Sequence, residues 1–370
     1  MHGEIFAILR GYSGLSSPNN FIFPRLTPLE EIHVFFINKI LLSPHLCRYP
    51  PSDQYQRRFW KWAIENLEAL SPDENEDFEL DPKIYEHYLG LLPPQSLGPL
   101  DAESRPQIRG QAIAPVQKTP SPSYITHYWN PQPTNPDNVS SYLKATLLES
   151  RTTIESGTTG LRTWLASFVL SQYLILHPEL ISSKRILELG SGAGFLGIII
   201  ASLQRISNPS ATGAVWLTDI NYVVLARCRH NVTLPCNPSS SHRNVNYRIL
   251  DWSASLEESR SPALKSLLNE IDPELVVGAD IVFDPSLILA LIGTIKFALQ
   301  PQSQLVSDSP KLALVALTVR NGETMAKFLD DAQSAGLLVV GLAFEFDRTP
   351  FLETVEGNKA DVRIFQIKLV

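Results

Sequence analysis

Arg185-Ile186-Leu187-Glu188-Leu189-Gly190-Ser191-Gly192-Ala193-Gly194-Phe195-Leu196-Gly197 decides the fold of this chain. An apolar, β-favouring run carries an acid near its end, glycines then recur at alternate positions, and an apolar helical pattern runs from Phe195 to Leu203. That order reads as a buried strand, a tight turn and a helix N-terminus. The glycines answer a steric demand, because so sharp a bend needs positive φ and leaves room for a ligand where a Cβ would collide.

Two kinds of nucleotide-binding turn fit the stretch. Gly192-x-Gly194-x-x-Gly197 matches the dinucleotide pattern, which would make the chain a nicotinamide-dependent oxidoreductase. The alternative is the acid-x-Gly-x-Gly-x-Gly turn of S-adenosylmethionine enzymes, with Glu188 two residues before Gly190. Glu188 favours the second. A sulfonium amino acid offers an ammonium that a carboxylate binds, directly or through water, whereas a pyrophosphate would be repelled.

The 370 residues are too many for one typical domain and suggest two. Hydrophobic residues make up 44% and charged residues 19%, ordinary values for a chain with a real core. A net charge of −7 argues against general affinity for nucleic acid or anionic membrane and is compatible with a basic partner. Cys47, Cys228 and Cys236 form no Cys-x-x-Cys pair, so reduced thiols and no zinc site or disulfide frame are expected. No apolar run approaches the roughly 20 residues of a membrane span, and a soluble, cytosolic or nuclear protein is expected.

Three regions follow from composition. Residues 1–92 read as helical, with apolar positions from Leu29 to Leu41, a helix over 54–70 and a short one over 81–92. Arg57, Arg58 and Lys61 give the second helix a basic edge, either a docking face or a solvated flank, and Asp73 to Asp77 reads as an exposed acidic loop. Residues 93–141 read as a linker, since ten of the 28 prolines fall between Pro93 and Pro136. The aromatic patch Tyr124 to Trp129 within it is expected to dock on one of its neighbours. Residues 142–370 read as an α/β domain. Strands are expected at 147–154, 184–189, 214–218, 245–250, 274–279, 312–318, 337–345 and 362–369. Helices are expected from Leu161 to Pro178 and at 195–206, 221–233, 285–299 and 322–335. The alternation implies a parallel sheet covered on both faces, closed by an antiparallel hairpin because residues 346–361 show no helical period.

Ligands of such sheets sit at the carboxyl ends of the strands, which is where the candidate residues lie. Asp219 ends the second strand of the glycine-turn sheet and suits a pair of ribose hydroxyls, or else the N-cap of the next helix. Asp251-Trp252 ends the third, suiting an adenine amino group and ring face, or else a turn aspartate beside a buried tryptophan. Gly278-Ala279-Asp280 ends the fourth, with Phe283 three residues on. Asp284 is the better cap for the helix starting near Pro285, which leaves Asp280 for function. By periodicity Trp164 belongs to the apolar face of its helix. His127, His230 and His242 show no metal-ligand spacing, and no metal is expected.

Taken together, Glu188 to Gly194, Thr218-Asp219, Asp251-Trp252 and Asp280-x-x-Phe283 resemble the seven-β-strand class I methyltransferases, specifically lysine methyltransferase family 16. Ile154-Glu155-Ser156-Gly157-Thr158-Thr159-Gly160-Leu161-Arg162-Thr163-Trp164 resembles the members that modify a lysine of translation elongation factor 2, which also carry a helical N-terminal region. The resemblance covers about residues 142–370. It implies a Rossmann-like seven-stranded sheet and a protein-lysine N-methyltransferase using S-adenosylmethionine, cytoplasmic and monomeric, acting on elongation factor 2, another protein or a small molecule. Trp164, Glu188, Gly190, Ser191, Gly192, Gly194, Asp219, Asp251, Trp252 and Ala279 would hold the cofactor, which moves Trp164 from core to site. Asp280 and Phe283 would be catalytic, Asp280 by orienting the incoming lysine. Phe283 stands where a tyrosine is common, which keeps the ring and removes a hydroxyl.

Overall fold

The protein is described by a computed structural model over residues 3–70, 79–93, 121–131, 141–210, 213–301, 310–344 and 361–370. The acidic run Asp73 to Asp77, most of the proline-rich stretch and most of the connection over 346–361 lie outside the described residues.

The N-terminal region consists of helices α1 (Gly3–Ser13), α2 (Leu29–Phe35), α3 (Pro44–Arg48), α4 (Asp53–Leu70) and α5 (Pro82–Gly90). The expected helix from Leu29 to Leu41 is continuous, but Phe36–Leu41 is wound as a π-helical turn. Phe36, Phe59, Trp60, Leu67 and Ile84 are at most 1% exposed and form the centre of a core belonging to these helices. Burying side chains of this size stabilises by about 1.5–3 kcal/mol each.

Strands β1 (Ser123–Trp129) and β2 (Leu143–Glu149) pair antiparallel as a two-stranded ribbon, Thr126 opposite Thr146. The patch Tyr124 to Trp129 is therefore a strand with a partner. The expected strand at 147–154 begins earlier and stops at Glu149, because Ser150 turns the chain by donating its hydroxyl to the Thr152 carbonyl. The ribbon touches both sides. Tyr128 packs on Phe6 of α1, ring centroids 5.6 Å apart, while Trp129, Ala145 and Leu147 are buried in the core of the larger sheet. Two asparagines bond the main chain of β2 where a third strand would. Asn237 accepts from the Thr146 amide at 2.7 Å and donates to its carbonyl at 2.8 Å, and Asn231 accepts from the Leu148 amide at 2.8 Å.

The larger sheet contains β3 (Arg185–Leu189), β4 (Ala214–Asp219), β5 (Val245–Ile249), β6 (Leu275–Ala279), β7 (Leu312–Thr318), β8 (Leu337–Leu342) and β9 (Val362–Leu369). Their order is β5-β4-β3-β6-β7-β9-β8, parallel except for β9, which runs antiparallel between β7 and β8. This is the Rossmann-like sheet with a closing antiparallel strand that the sequence implies. One face packs on α6 (Leu165–Leu176), α7 (Phe195–Ser207) and α8 (Tyr222–Val232). The other packs on α9 (Ser261–Ile271), α10 (Ile288–Leu299) and α11 (Gly322–Ser334). Helix α9, absent from the sequence expectation, covers the sheet with Leu264, Leu268 and Ile271, positions spaced by four and three. The strand order reverses between β3 and β6, and the crevice at their carboxyl ends is where such sheets bind ligands.

Candidate active site

A cavity of about 290 Å³ opens at those strand ends. Its floor is the turn after β3. Gly190, Gly192 and Gly194 have φ of 66°, 53° and 93°, a region open to glycine at little cost. Gly190, Ser191 and Gly192 line the cavity; Gly194 does not. A Cβ on Gly194 would lie 2.9 Å from the Cys228 sulfur, so this glycine lets α8 approach the turn. Gly197, third glycine of the dinucleotide pattern, also serves packing, with Leu217 at 2.8 Å and Glu188 Oε2 at 3.1 Å from its Cβ position.

Glu188 lies behind the floor, 3% exposed and outside the cavity lining. Among the described residues its Oε2 has no hydrogen-bond partner. Burial pushes the carboxyl up to about 8, the Ser191 hydroxyl opposing and the Asp219 charge adding to the rise. Ser191 also fastens the turn to β4, its amide donating to the Thr218 carbonyl at 2.8 Å and its hydroxyl accepting from the Thr218 amide at 3.0 Å.

Asp219 lines the cavity at the end of β4. It accepts from the Asn221 amide at 2.9 Å and the Gly192 amide at 3.4 Å, and desolvation still raises its carboxyl above the ordinary range. It is not the N-cap of α8. Asn221 fills that place, accepting from Val223 and Val224 amides, so Asp219 ties the glycine turn to the helix start. Asp251 and Trp252 line the next wall. Asp251 caps a short turn through the Ser253 amide at 2.9 Å and pairs with Arg260. Partial burial raises its carboxyl, but Arg260 and Ser253 outweigh this and hold it below its usual range.

The opposite end contains Ala279, Asp280, Phe283 and Trp164. Asp280 is a non-glycine residue at φ 53°, the kind of strained backbone that costs about 1–3 kcal/mol and persists where its surroundings enforce it. Its side chain is 7% exposed and already engaged, a state the sequence does not reveal. The Thr318 amide donates to one oxygen at 2.8 Å, and the Thr318 hydroxyl (3.0 Å) and Arg320 guanidinium (3.1 Å) donate to the other. Asp284 bonds the Ser286 amide at 2.9 Å and is the cap. Phe283 is 55% exposed at the cavity mouth. Trp164 is the N-cap residue of α6 and half-buried, not a core residue of the helix face. Its indole donates to the Thr159 carbonyl at 3.2 Å, and the Arg320 guanidinium lies 4.9 Å from its ring centre, near enough for a cation–π contact.

Thr318, Arg320 and Arg162 were not among the residues singled out from sequence. Thr318 and Arg320 lie 38 and 40 positions from Asp280 and reach it because β7 is the parallel neighbour of β6. The expected end of β7 at residue 318 was the available signal.

Comparisons with known proteins identify the family. The family model described as lysine methyltransferase matches residues 145–333, just over half of the chain. A Bos taurus relative named protein-lysine N-methyltransferase EEF2KMT is 27% identical over 83% of this chain and 79% of its own length. The Homo sapiens protein of the same name is 31% identical over 52% of this chain, and protein-lysine N-methyltransferase EFM3 of Chaetomium thermophilum is 34% identical over 54%. The chain spans 55% and 54% of the length of those last two relatives. These matches set aside the oxidoreductase reading. Over the strands and the glycine turn that build the cavity, the chain belongs to the lysine methyltransferase family, enzymes that take their methyl group from S-adenosylmethionine.

Proposed function

We propose that this enzyme methylates a lysine of translation elongation factor 2 in the cytoplasm, with donor-binding and lysine-binding groups at opposite ends of the cavity. The observation that carries the reading is the cavity itself, which gathers Gly190, Gly192, Asp219 and Asp251 with Trp164, Asp280 and Phe283, Asp280 being paired with Arg320. The residues suit the donor. Gly190 and Gly192 leave the floor open to main-chain approach, Asp219 suits two ribose hydroxyls, and the Trp252 ring with Ile281 offers an apolar wall for a base. Asp251 is already engaged by Ser253 and Arg260, so it would meet an adenine amino group only with its remaining acceptor capacity.

When bound, S-adenosylmethionine supplies a methyl group activated by a sulfonium. Trp164, Phe283 and Asp280 would then align the lysine nitrogen, which is most of what an in-line displacement requires. Asp280 would do so as one half of a pair with Arg320. Glu188 would act from behind the floor, its carboxyl stabilised in the ionised form by a bound cation. The elongation factor assignment is supported by the relatives named EEF2KMT, one of which aligns over 83% of this chain and so reaches into the helical N-terminal region. The region 1–92 would serve substrate choice.

The test is incubation with radiolabelled donor and a cytosolic extract lacking this enzyme, followed by identification of the labelled band. Elongation factor 2 is the expected band, with a methylated lysine in its peptide map. A different labelled protein overturns the substrate, and label confined to small molecules overturns the reading as a whole.

A further inference from the structure

A second cavity, of about 490 Å³, lies on the far side of Trp164. Arg162, Thr163 and Trp164 line both cavities. The second is bounded by Gly14 and Leu15 after α1, by the ribbon through His127 and Glu149, and by Thr318 and Arg320 after β7. It is thus walled by the N-terminal region and the catalytic sheet together, and it ends against the Asp280–Arg320 pair.

Its charge runs against that of the chain. The net charge is −7, yet Arg151, Arg162 and Arg320, all exposed, gather at this one opening. Arg320 is paired with Asp280. Among the described residues neither Arg151 nor Arg162 forms a salt bridge. Arg151 is held below its ordinary value by desolvation and by the Arg162 charge, and Arg58 of α4 adds to the same positive surroundings. Arg58 belongs to the basic edge noted on that helix and acts on Arg151 from outside the cavity lining. The negative group inside is Glu149, 3% exposed and accepting a hydrogen bond from the Thr163 hydroxyl. Burial raises its carboxyl above the ordinary range, with hydrogen bonds from Thr163 and the Arg162 and Arg151 charges opposing the rise. His127, which burial holds down to about 3, is neutral and adds no charge.

Arg151, Arg162 and Arg320 outnumber the two carboxylates that face them, Glu149 and Asp280, and the repulsion between Arg151 and Arg162 is one that an incoming anion relieves. Planar, weakly hydrated guanidiniums bind carboxylates through paired hydrogen bonds. We propose that this cavity is an anion subsite in which Arg151 and Arg162, with Arg58 behind them, hold a carboxylate of the protein substrate close to its target lysine. The inference rests on the lysine methyltransferase reading of the first cavity and adds a rule for the substrate, a lysine with acidic residues beside it. Arg162, Thr163 and Trp164 border both cavities, which sets the two subsites side by side for one substrate segment to span.

The test reads binding and needs no turnover. A fluorescent peptide with one lysine between glutamates, and the same peptide with glutamines, are titrated with the full chain at low and high salt. The acidic peptide is expected to bind about tenfold more tightly at low salt, as one charge-assisted guanidinium pair provides. Arg151→Glu should abolish the preference, and Arg151→Gln should reduce it, with melting temperature as the folding control. Equal affinity for the two peptides, or a preference that survives Arg151→Glu, overturns the subsite. So does a uridine oligonucleotide that binds more tightly than the acidic peptide, since the rim would then be reading phosphate. Methylation of either peptide by the wild-type chain is scored separately, so a failure of the enzyme reading is distinguishable from a failure of the subsite.

Discussion

Glu188→Gln probes the carboxyl behind the glycine turn, where the structure gives a magnitude to work from. Folding moves this group from an ordinary 4.5 to about 8, chiefly by desolvation. A carboxyl whose folded value is raised binds protons more tightly in the folded than in the unfolded protein. Stability therefore falls as pH rises through the interval between the two values, from about 4.5 to about 8, and levels off above it. Each pH unit inside that window is worth at most about 1.4 kcal/mol, so from pH 5.5 to 7.5 the loss approaches 3 kcal/mol as an upper bound. In a chain of this size that is a few degrees of melting temperature. Glutamine carries no titratable proton, and the wild-type slope in this window should flatten. Asp219, also raised by burial, remains in both proteins and drops out of the difference. The assay is thermal or urea unfolding of both proteins without donor at four pH values between 5.5 and 8.5. A second measurement follows from the same linkage. A cationic donor favours the ionised carboxyl, so wild-type binding near pH 7 should release protons, detected by calorimetry in two buffers of different ionisation enthalpy, and Glu188→Gln should not. Parallel stability profiles together with equal proton release would refute the reasoning.

Two further predictions separate roles within the cavity. Asp280→Asn removes the charge that Arg320 faces and should lower turnover by roughly one to three orders of magnitude with donor affinity within a few-fold, whereas Asp219→Ala should weaken donor affinity first; calorimetry and saturated rates on the two variants decide this, and wild-type turnover in Asp280→Asn would make the acid a purely structural anchor. Gly194→Ala puts a methyl 2.9 Å from the Cys228 sulfur at φ 93°, so it should cost about 1–3 kcal/mol of stability while Gly192→Val, on the cavity floor, abolishes donor binding; the check is urea unfolding beside donor titration.

The strands of the large sheet were legible because they are short apolar runs bounded by turns, and Arg185–Leu189, Leu312–Thr318 and Val362–Leu369 lie within one residue of expectation. Helix α9 carried a readable spacing in Leu264, Leu268 and Ile271, behind a start marked by Pro262 at the first turn. The strand Ser123–Trp129 was obscured by its proline-rich surroundings, and its partner begins fourteen residues after it ends. The acids at the strand ends were legible by position. Their states were not, because those depend on long-range neighbours. Asp280 meets Arg320 across β6 and β7, and Glu188 is isolated by Gly197 and Leu217, contacts that no local pattern encodes.

The Asp280–Arg320 pair bears on a difficulty in the proposed chemistry. A lysine in water has a pKa near 10.4 and reaches the enzyme as an ammonium, which cannot attack. A lone carboxylate beside it would bind that ammonium and hold its proton. With Arg320 3.1 Å away, Asp280 is part of an ion pair, and the Thr318 amide and hydroxyl also donate to its oxygens. Arg162 and Arg320 both face the Trp164 ring, at 5.9 and 4.9 Å, and a bound sulfonium would add a further positive charge to the cavity. Positive neighbours and desolvation both favour the neutral amine. On the proposed reading the pair would let one acid orient the nitrogen while the guanidiniums beside it favour the unprotonated amine.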